Sequence, residues 1–525
     1  MPVQDRRGPP PRHLPERLCR VALHNRGVQE HSIASVHAAY RDGTLTTTAL
    51  VRHHLARIAA YDRKGPALLA LLHVHPQALD EAARLDEVWR TAGPVGPLHG
   101  IPIVLKDNFH THDLPTTCGS TAMRGFRTAA DATVVQRLRA AGALVLAKAN
   151  LQEFARGGVS ISSLGGQVRN PYDLGRTAGG SSGGTAAAVA ADFAIAGTGS
   201  DTGQSIRSPA SACNLVGVRP TRGLVSRWGV VPNSLTQDEA GPIARNARDA
   251  ALMLDAMAGY DPRDPVTALG RGHRPASFAE GLEANALQGA RIGVLQDLCG
   301  REARHAPVNA VIEGVIATMQ AQGATVLRLE LPGLDALLAG VSTERWEARI
   351  ALERYFAEFG AGQPVSSFEQ VLAARSAPAP IQRALDADYA VHDGLRDPEY
   401  LQRLARRDTL RVRLAAAMAE EGLDALLYPL QKILPVPLGL DDQPERNGAL
   451  SHGTGFPAVC FPGGFSPPTA QAPLGVPVGA ELIGPDFSEA RLLALAHAFE
   501  QAARVRRPPP STPDLPAAAG HTSAA

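Results

Sequence analysis

The stretch GRTAGGSSGGTAAAVAADFAIAGTGSDTGQSIRSPA, residues 175–210, is built largely from Gly, Ala, Ser and Thr. Two Gly/Ser-rich loops flank an alanine-rich segment of good helix propensity. Side chains this small let backbones approach closely, so the stretch predicts a tightly packed interior. GGSSGG alone also reads as a flexible linker, but small apolar residues packed between two such loops argue against it. A nucleotide site is weaker still: no GxxxxGK(S/T) occurs here, and GTGSDTG lacks the glycine spacing of a dinucleotide-binding turn. Gly179-Gly180-Ser181-Ser182-Gly183 does satisfy GxSxG, the nucleophile elbow of serine esterases, which needs a buried strand immediately before it. The preceding NPYDLGRTA is polar and turn-prone. His452, in SHGTGFP, could serve as the base of such a triad, yet nothing local distinguishes it among 17 histidines.

Around this stretch the apolar pattern alternates between helix and strand. Ser32 precedes Ile33, Val36 and Tyr40, and Thr46–Thr48 precede Val51, Leu55 and Ile58, both at helical spacing. GIPIVLKDN, residues 100–108, reads as a buried strand ending at Lys106. Asp131 is the expected cap of a helix bearing Val134, Leu138 and Ala141, stopped by Gly142 and followed by the strand ALVLAK, 143–148. Asn246 and Asp249 resemble a capping box for a further helix ending near Gly259. Residues 300–440 lean helical and hold no concentrated motif. Strand signals return at DALLYPL, FPAVCFPGGF and PVGAELIG, and a last helix follows Ser488. Alternation of this kind predicts an α/β fold.

Length and charge then limit the rest. The 525 residues suit one large α/β domain over 31–504, with 300–440 as a variable, helical substrate region. The Pro-rich segments at 1–30 and 505–525 are expected to be flexible and disordered, respectively. A net charge of +1 gives no reason to expect a nucleic-acid or acidic-membrane partner. Cys19, Cys118, Cys213, Cys299 and Cys460 lie far apart with no CxxC pair, so they read as buried free thiols. No apolar run reaches the length of a membrane span and the N-terminus lacks a secretory apolar region, so a cytoplasmic protein is expected. His110, His112 and Asp113 in FHTHD read as solvated side chains, and neither metal nor cofactor is expected.

GIPIVLKDN, GGSSGG and DTGQSIRSPASACNLVGVRPTRG together resemble the amidase signature family. RNPYDLGRTAGGSSGGTAAAVAA, TGFPAVCFPGGF and GVPVGAELIGPDFSEARLLALAHAFE also look like that family, in its usual order. The resemblance implies a single domain whose mixed central β-sheet is covered by helices on both faces. It also implies a Ser-cisSer-Lys triad: Ser205 as nucleophile, Ser181 as a bridging serine in a cis peptide, and Lys106 as base. Backbone N–H groups of Thr202, Gly203, Gln204 and Ser205 would form the oxyanion hole, while Ser182, Asp201 and Arg207 would hold the loops. The family often has Gly-Gly-Ser where this chain has Gly203-Gln204-Ser205; Gln keeps its N–H and would be strained only at positive φ.

A lysine acts as base only when neutral, so its pKa must fall from about 10.4 towards about 7 or 8, a bias of about 4 kcal/mol against the ammonium. Desolvation without a paired carboxylate would do this, and strand alternation should turn Asp107 away. The implied activity is hydrolysis of a small-molecule carboxylic amide to acid plus ammonia or amine. Alternatives are the amidase-type component of a tRNA-dependent amidotransferase, an α/β-hydrolase-like esterase, and a non-catalytic binding protein on the same scaffold. The oligomeric state is left open, a homodimer being one option.

Overall fold

The computed structural model describes residues 30–516. Short strands, buried on both sides except at the two edges, form its central sheet. In chain order the sheet strands are β1 (Leu71–Val74), β2 (Pro102–Lys106), β3 (Leu144–Ala149), β4 (Ala196–Asp201), β5 (Val216–Arg219) and β6 (Glu239–Ala244). They continue as β7 (Arg291–Leu295), β8 (Thr325–Leu329), β9 (Ala425–Pro429), β10 (Ala458–Phe465) and β11 (Pro477–Ile483). Their spatial order is β1-β3-β2-β4-β6-β5-β10-β11-β9-β7-β8. Parallel pairs occur on either side of an antiparallel middle, so the sheet is mixed. Helices cover both faces. Thr133–Ala140, Ala247–Met257, Ala306–Ala321 and Glu489–Ala503 seal one, and Ala78–Ala92, Gly183–Ala190 and Arg207–Ala212 the other.

Several sequence signals act locally as expected. Ser32 caps Ile33–Arg41 by accepting from Ser35 N–H, Thr46 caps Thr47–Tyr61, and Asn246 accepts from Asp249 N–H at the start of Ala247–Met257. Asp131 does not cap Thr133–Ala140, whose N-cap is Ala132 with no side-chain bond. Its carboxylate accepts instead from His112 N–H at 2.8 Å and pairs with Arg139 at 3.1 Å, a stronger, charge-assisted use of the same oxygens. RIGVL and TVLRL, where no strand was expected, form β7 and β8. Both are short, and β8 is only half-buried, so periodicity carries little signal there.

Much of the 300–440 region stands apart from the sheet. Glu344–Phe359, Phe368–Ala373 and Ala379–Tyr389 pack with Met123, Phe126 and Phe154 in a separate apolar cluster. Residues 505–516 are not the loose tail expected from their prolines. Arg506 bonds Glu30 at 2.9 Å and the Asn214 carbonyl at 2.9 Å, and Arg57 holds the Thr512 carbonyl at 2.8 Å. Proline lacks an N–H, but its carbonyl still accepts. The expectations for residues 1–29 and 517–525, and for Cys19, lie outside the described residues. Cys118, Cys213, Cys299 and Cys460 are free, and all but the half-buried Cys299 are buried. Among the described residues no helix is long and apolar enough to cross a membrane.

Candidate active site

Two glycine-rich loops and the ends of β2 and β4 meet at one point. Lys106 closes β2 and is fully buried. Its Nζ lies 2.6 Å from Ser181 Oγ, 2.8 Å from Ser200 Oγ and 3.2 Å from the Ser200 carbonyl. No carboxylate pairs with it among the described residues. Burial pulls its amine down to about 7, with Asp201 the largest opposing charge. Asp107 is turned to the other face, where it forms a fully buried pair with Lys148 at 3.0 Å and accepts from Thr117 N–H at 3.0 Å.

The Gly180–Ser181 peptide is cis. The Ser181 carbonyl accepts from Gln152 N–H at 3.0 Å, and Gly183 N–H donates to Ser160 Oγ at 2.9 Å, so the loop is fixed on both sides. The strand before the GxSxG match is only the outer half of a two-stranded ribbon, Asp173–Thr177, rather than a strand of the central sheet. The elbow geometry is therefore absent, and no hydrogen bond joins His452 to Ser181 among the described residues: its Nδ1 lies 3.2 Å from Gln237 Nε2, which donates to the Thr202 carbonyl.

Ser205 precedes the helix Arg207–Ala212 and is 7% exposed. Its carbonyl accepts from Ser182 N–H at 3.2 Å, tying the two loops together. Its hydroxyl has no hydrogen-bond partner among the described residues, and neither have the backbone N–H groups of Thr202, Gly203, Gln204 and Ser205. Gln204 has no positive φ, so a side chain here is unstrained. Its Oε1 accepts from Gly448 N–H at 3.3 Å. Ser182 Oγ donates to the Ser200 carbonyl at 3.4 Å.

Beneath these loops lies a buried ionic network. Arg207 bonds Asp201 at 3.1 Å, the Gly203 carbonyl at 2.6 Å and Glu481 at 2.6 Å. Arg219 adds a second cation to Asp201 at 3.0 Å, and Tyr428 donates to Glu481 at 2.6 Å. Burial alone would raise the Asp201 carboxyl, but Arg207 and Arg219 outweigh it and hold it below the usual range. Arg207 thereby fixes the carbonyl in the middle of the loop that carries the free N–H groups.

Comparison with known proteins bears on the same constellation. The Amidase family profile matches residues 49–493. The chain belongs to the amidase family. It is thus an amidase-family enzyme, a hydrolase class that cleaves amide C–N bonds. The chain is 37% identical over 492 residues to a glutamyl-tRNA(Gln) amidotransferase component from Halorhodospira halophila, covering 90% of this chain and 97% of that one. It is 38% identical to the solved peptide amidase of Stenotrophomonas maltophilia, with a TM-score of 0.82 over 91% of this chain and 98% of the other. The corresponding glutamyl-tRNA(Gln) amidotransferase component of Thermotoga maritima, also solved, is 27% identical, with a TM-score of 0.69 over 90% and 94% of the two chains.

Of the residues singled out in the amidase sequence, Lys106 bonds both Ser181 and Ser200, and Ser182 donates to the Ser200 carbonyl, while Ser205 Oγ bonds none of them among the described residues. Asp201 and Arg207 bond each other. His110 is not the solvated side chain expected: it is buried and its Nε2 turns inward to Tyr355 at 2.8 Å, whereas His112 and Asp113 cluster with Asp131. Asp113 and Asp131 are bridged by Arg139 at 2.6 Å and 3.1 Å, so a guanidinium already neutralises them where a metal would bind. Ser200, Asn108, Arg219 and Glu481 were missed. Asn108 donates to Ser200 Oγ at 3.0 Å. Glu481 had a readable signal, a lone acid inside the apolar run PVGAELIG, because a buried charge needs a partner.

Proposed function

We propose that this amidase-family chain cleaves a carboxylic amide through an acyl-enzyme on Ser205, with Lys106 as base and Ser181 as proton shuttle. The observation that carries the reading is a buried amine, without a carboxylate partner, 2.6 Å from the Ser181 hydroxyl. A neutral amine has two N–H bonds and one lone pair. The two N–H bonds are used by the hydroxyl and carbonyl of Ser200, which leaves the lone pair for the Ser181 proton. Ser181 can then accept the Ser205 proton as Ser205 Oγ attacks the amide carbon. The oxyanion forms against the unpartnered N–H groups of residues 202–205, each aligned donor contributing about 3 kcal/mol. The same relay returns the proton to the departing nitrogen, and water, activated along it, cleaves the ester.

The test is covalent trapping. Intact-mass measurement on an amide substrate should find an acyl adduct on Ser205 in wild type and none in Ser205→Ala, with turnover falling at least about 10³-fold in the variant. Undiminished turnover by Ser205→Ala would refute the assignment.

A second reading places the same chemistry inside a tRNA-dependent amidotransferase. Relatives of that name, matched over about nine-tenths of both chains, favour this reading over a free-standing hydrolase. The higher TM-score to the peptide amidase supports the free-standing one. Expression in the native host followed by size-exclusion chromatography separates them: co-elution with the other amidotransferase components and dependence of glutamine hydrolysis on them supports the complex. A lone, active chain supports the hydrolase.

A further inference from the structure

A cavity of about 200 Å³ opens beside the candidate active site, reaching it at Asn108, Ser200 and Thr202. Its wall is aromatic. Trp228 and Phe359 meet edge to face with ring centroids 5.7 Å apart, and Tyr355 lies 5.3 Å from Phe359. Tyr355 and Phe359 both come from the helix Glu344–Phe359, in the region where the sequence shows no motif. They are braced from behind by His110, whose ring is 4.6 Å from Phe359 and hydrogen-bonded to the Tyr355 hydroxyl. Burial pulls His110 down to about 3, so the brace is uncharged.

The charges lining this cavity are mostly occupied or weakened. Arg227 forks onto Asp264 at 2.9 Å and 3.0 Å. Arg263 pairs with Asp261 at 3.1 Å and lies over the Trp228 ring at 4.0 Å. Asp238 accepts from the Thr202 hydroxyl at 2.6 Å and from the N–H groups of Asn233 and Ser234 at 2.7 Å and 2.9 Å. These are only neutral donors, Asp238 has no cationic partner among the described residues, and burial raises its carboxyl. Trp228 Nε1 donates to Glu358 at 3.0 Å. Glu239, 1% exposed, has both carboxyl oxygens unpartnered, and burial raises it to about 8, so it is largely protonated at neutral pH. Arg354 lacks a partner among the described residues but lies exposed at the mouth, in water. A site meant for an amino acid with free ammonium and carboxylate groups would offer each an unspent counter-charge inside the cavity.

We propose that this cavity selects carboxamides with an uncharged aromatic or arylalkyl body over small polar amides such as glutamine, and that Trp228 and Phe359 are its specificity-determining residues. The proposal rests on the hydrolase reading of Ser205, and it makes the helix Glu344–Phe359 the element that sets substrate class. Rings in contact with a substrate ring bury its apolar surface and add edge-to-face attraction.

The test measures kcat/KM by ammonia release for phenylacetamide, N-acetylphenylalaninamide, propionamide and L-glutamine. Wild type should prefer the aryl amides over glutamine by at least about 100-fold. The ratio of aryl amide to propionamide should fall about 10-fold in Phe359→Ala and in Trp228→Leu, through KM more than kcat. Both side chains are half-buried, and two separate variants guard against misfolding of one. Calorimetric binding of N-acetylphenylalaninamide to Ser205→Ala reads the cavity without the chemistry. Binding there, weakened in the Phe359→Ala double variant, upholds the cavity assignment even if wild type hydrolyses nothing, in which case only the Ser205 reading fails. Equal or better use of glutamine, an unchanged ratio in both variants, or no binding to Ser205→Ala would overturn the inference.

Discussion

At the residue scale the decisive contrast is between two buried lysines. Lys148 keeps a carboxylate at 3.0 Å, while Lys106 is given only hydroxyls and a carbonyl. Hydroxyls solvate an amine without compensating a full charge, so desolvation prevails and Lys106 falls to about 7. The expected pH–rate profile has an acidic limb near pH 7, because the base works only after losing its proton. Lys106→Ala should lower kcat/KM by about 10³-fold at pH 8, and steady-state kinetics from pH 5 to 10 checks both. Stability should carry the same signature. The unfolded lysine titrates near 10.5 and the folded one near 7, so between these values the unfolded chain binds more protons and stability rises with pH. Lys106→Met removes that dependence. Urea titrations should find wild type less stable than the variant by on the order of 4 kcal/mol below pH 7, the gap closing towards pH 10.

At the element scale the glycines divide by what surrounds them. The helix Gly183–Ala190 is pressed against β1 and β3: a Cβ on Gly184 would come within 2.1 Å of the Asn150 carbonyl and 2.5 Å of the Ala70 carbonyl. Gly203, in the loop of unpartnered N–H groups, would meet nothing within 4 Å. Gly184→Ala should therefore cost at least about 3 kcal/mol. Gly203→Ala should stay within about 0.5 kcal/mol of wild type. Equilibrium urea unfolding of the pair decides this, and similar costs for both would show that conformational freedom rather than close packing governs the site. The close packing itself was legible, since a run of Gly, Ala and Ser has no side chains to hold backbones apart. Which glycines are tight was not, because that depends on strands from residues 70 and 150 that the run itself does not mention.

At the scale of the whole molecule the two ends of the described chain are stitched together. Arg506 gathers Glu30 and the Ala190 and Asn214 carbonyls, and Tyr61 donates to the Pro513 carbonyl at 2.8 Å. Truncation after Arg504 should lower Tm by roughly 5 °C, measured by calorimetry; an unchanged Tm would mean these contacts add nothing. The alternation of elements, most of the helix caps and the motifs that place the chain in the amidase family are all local in the chain, so the order of residues was enough to specify them. GIPIVLKDN singled out Lys106, but nothing local in the chain gives the partner of Lys148, which also closes an apolar strand, and so the contrast between the two amines. The pairing of β2 with β3 decides that contrast. Leu105 lies opposite Lys148, so alternation puts Asp107 and Lys148 on one face and leaves Lys106 alone on the other.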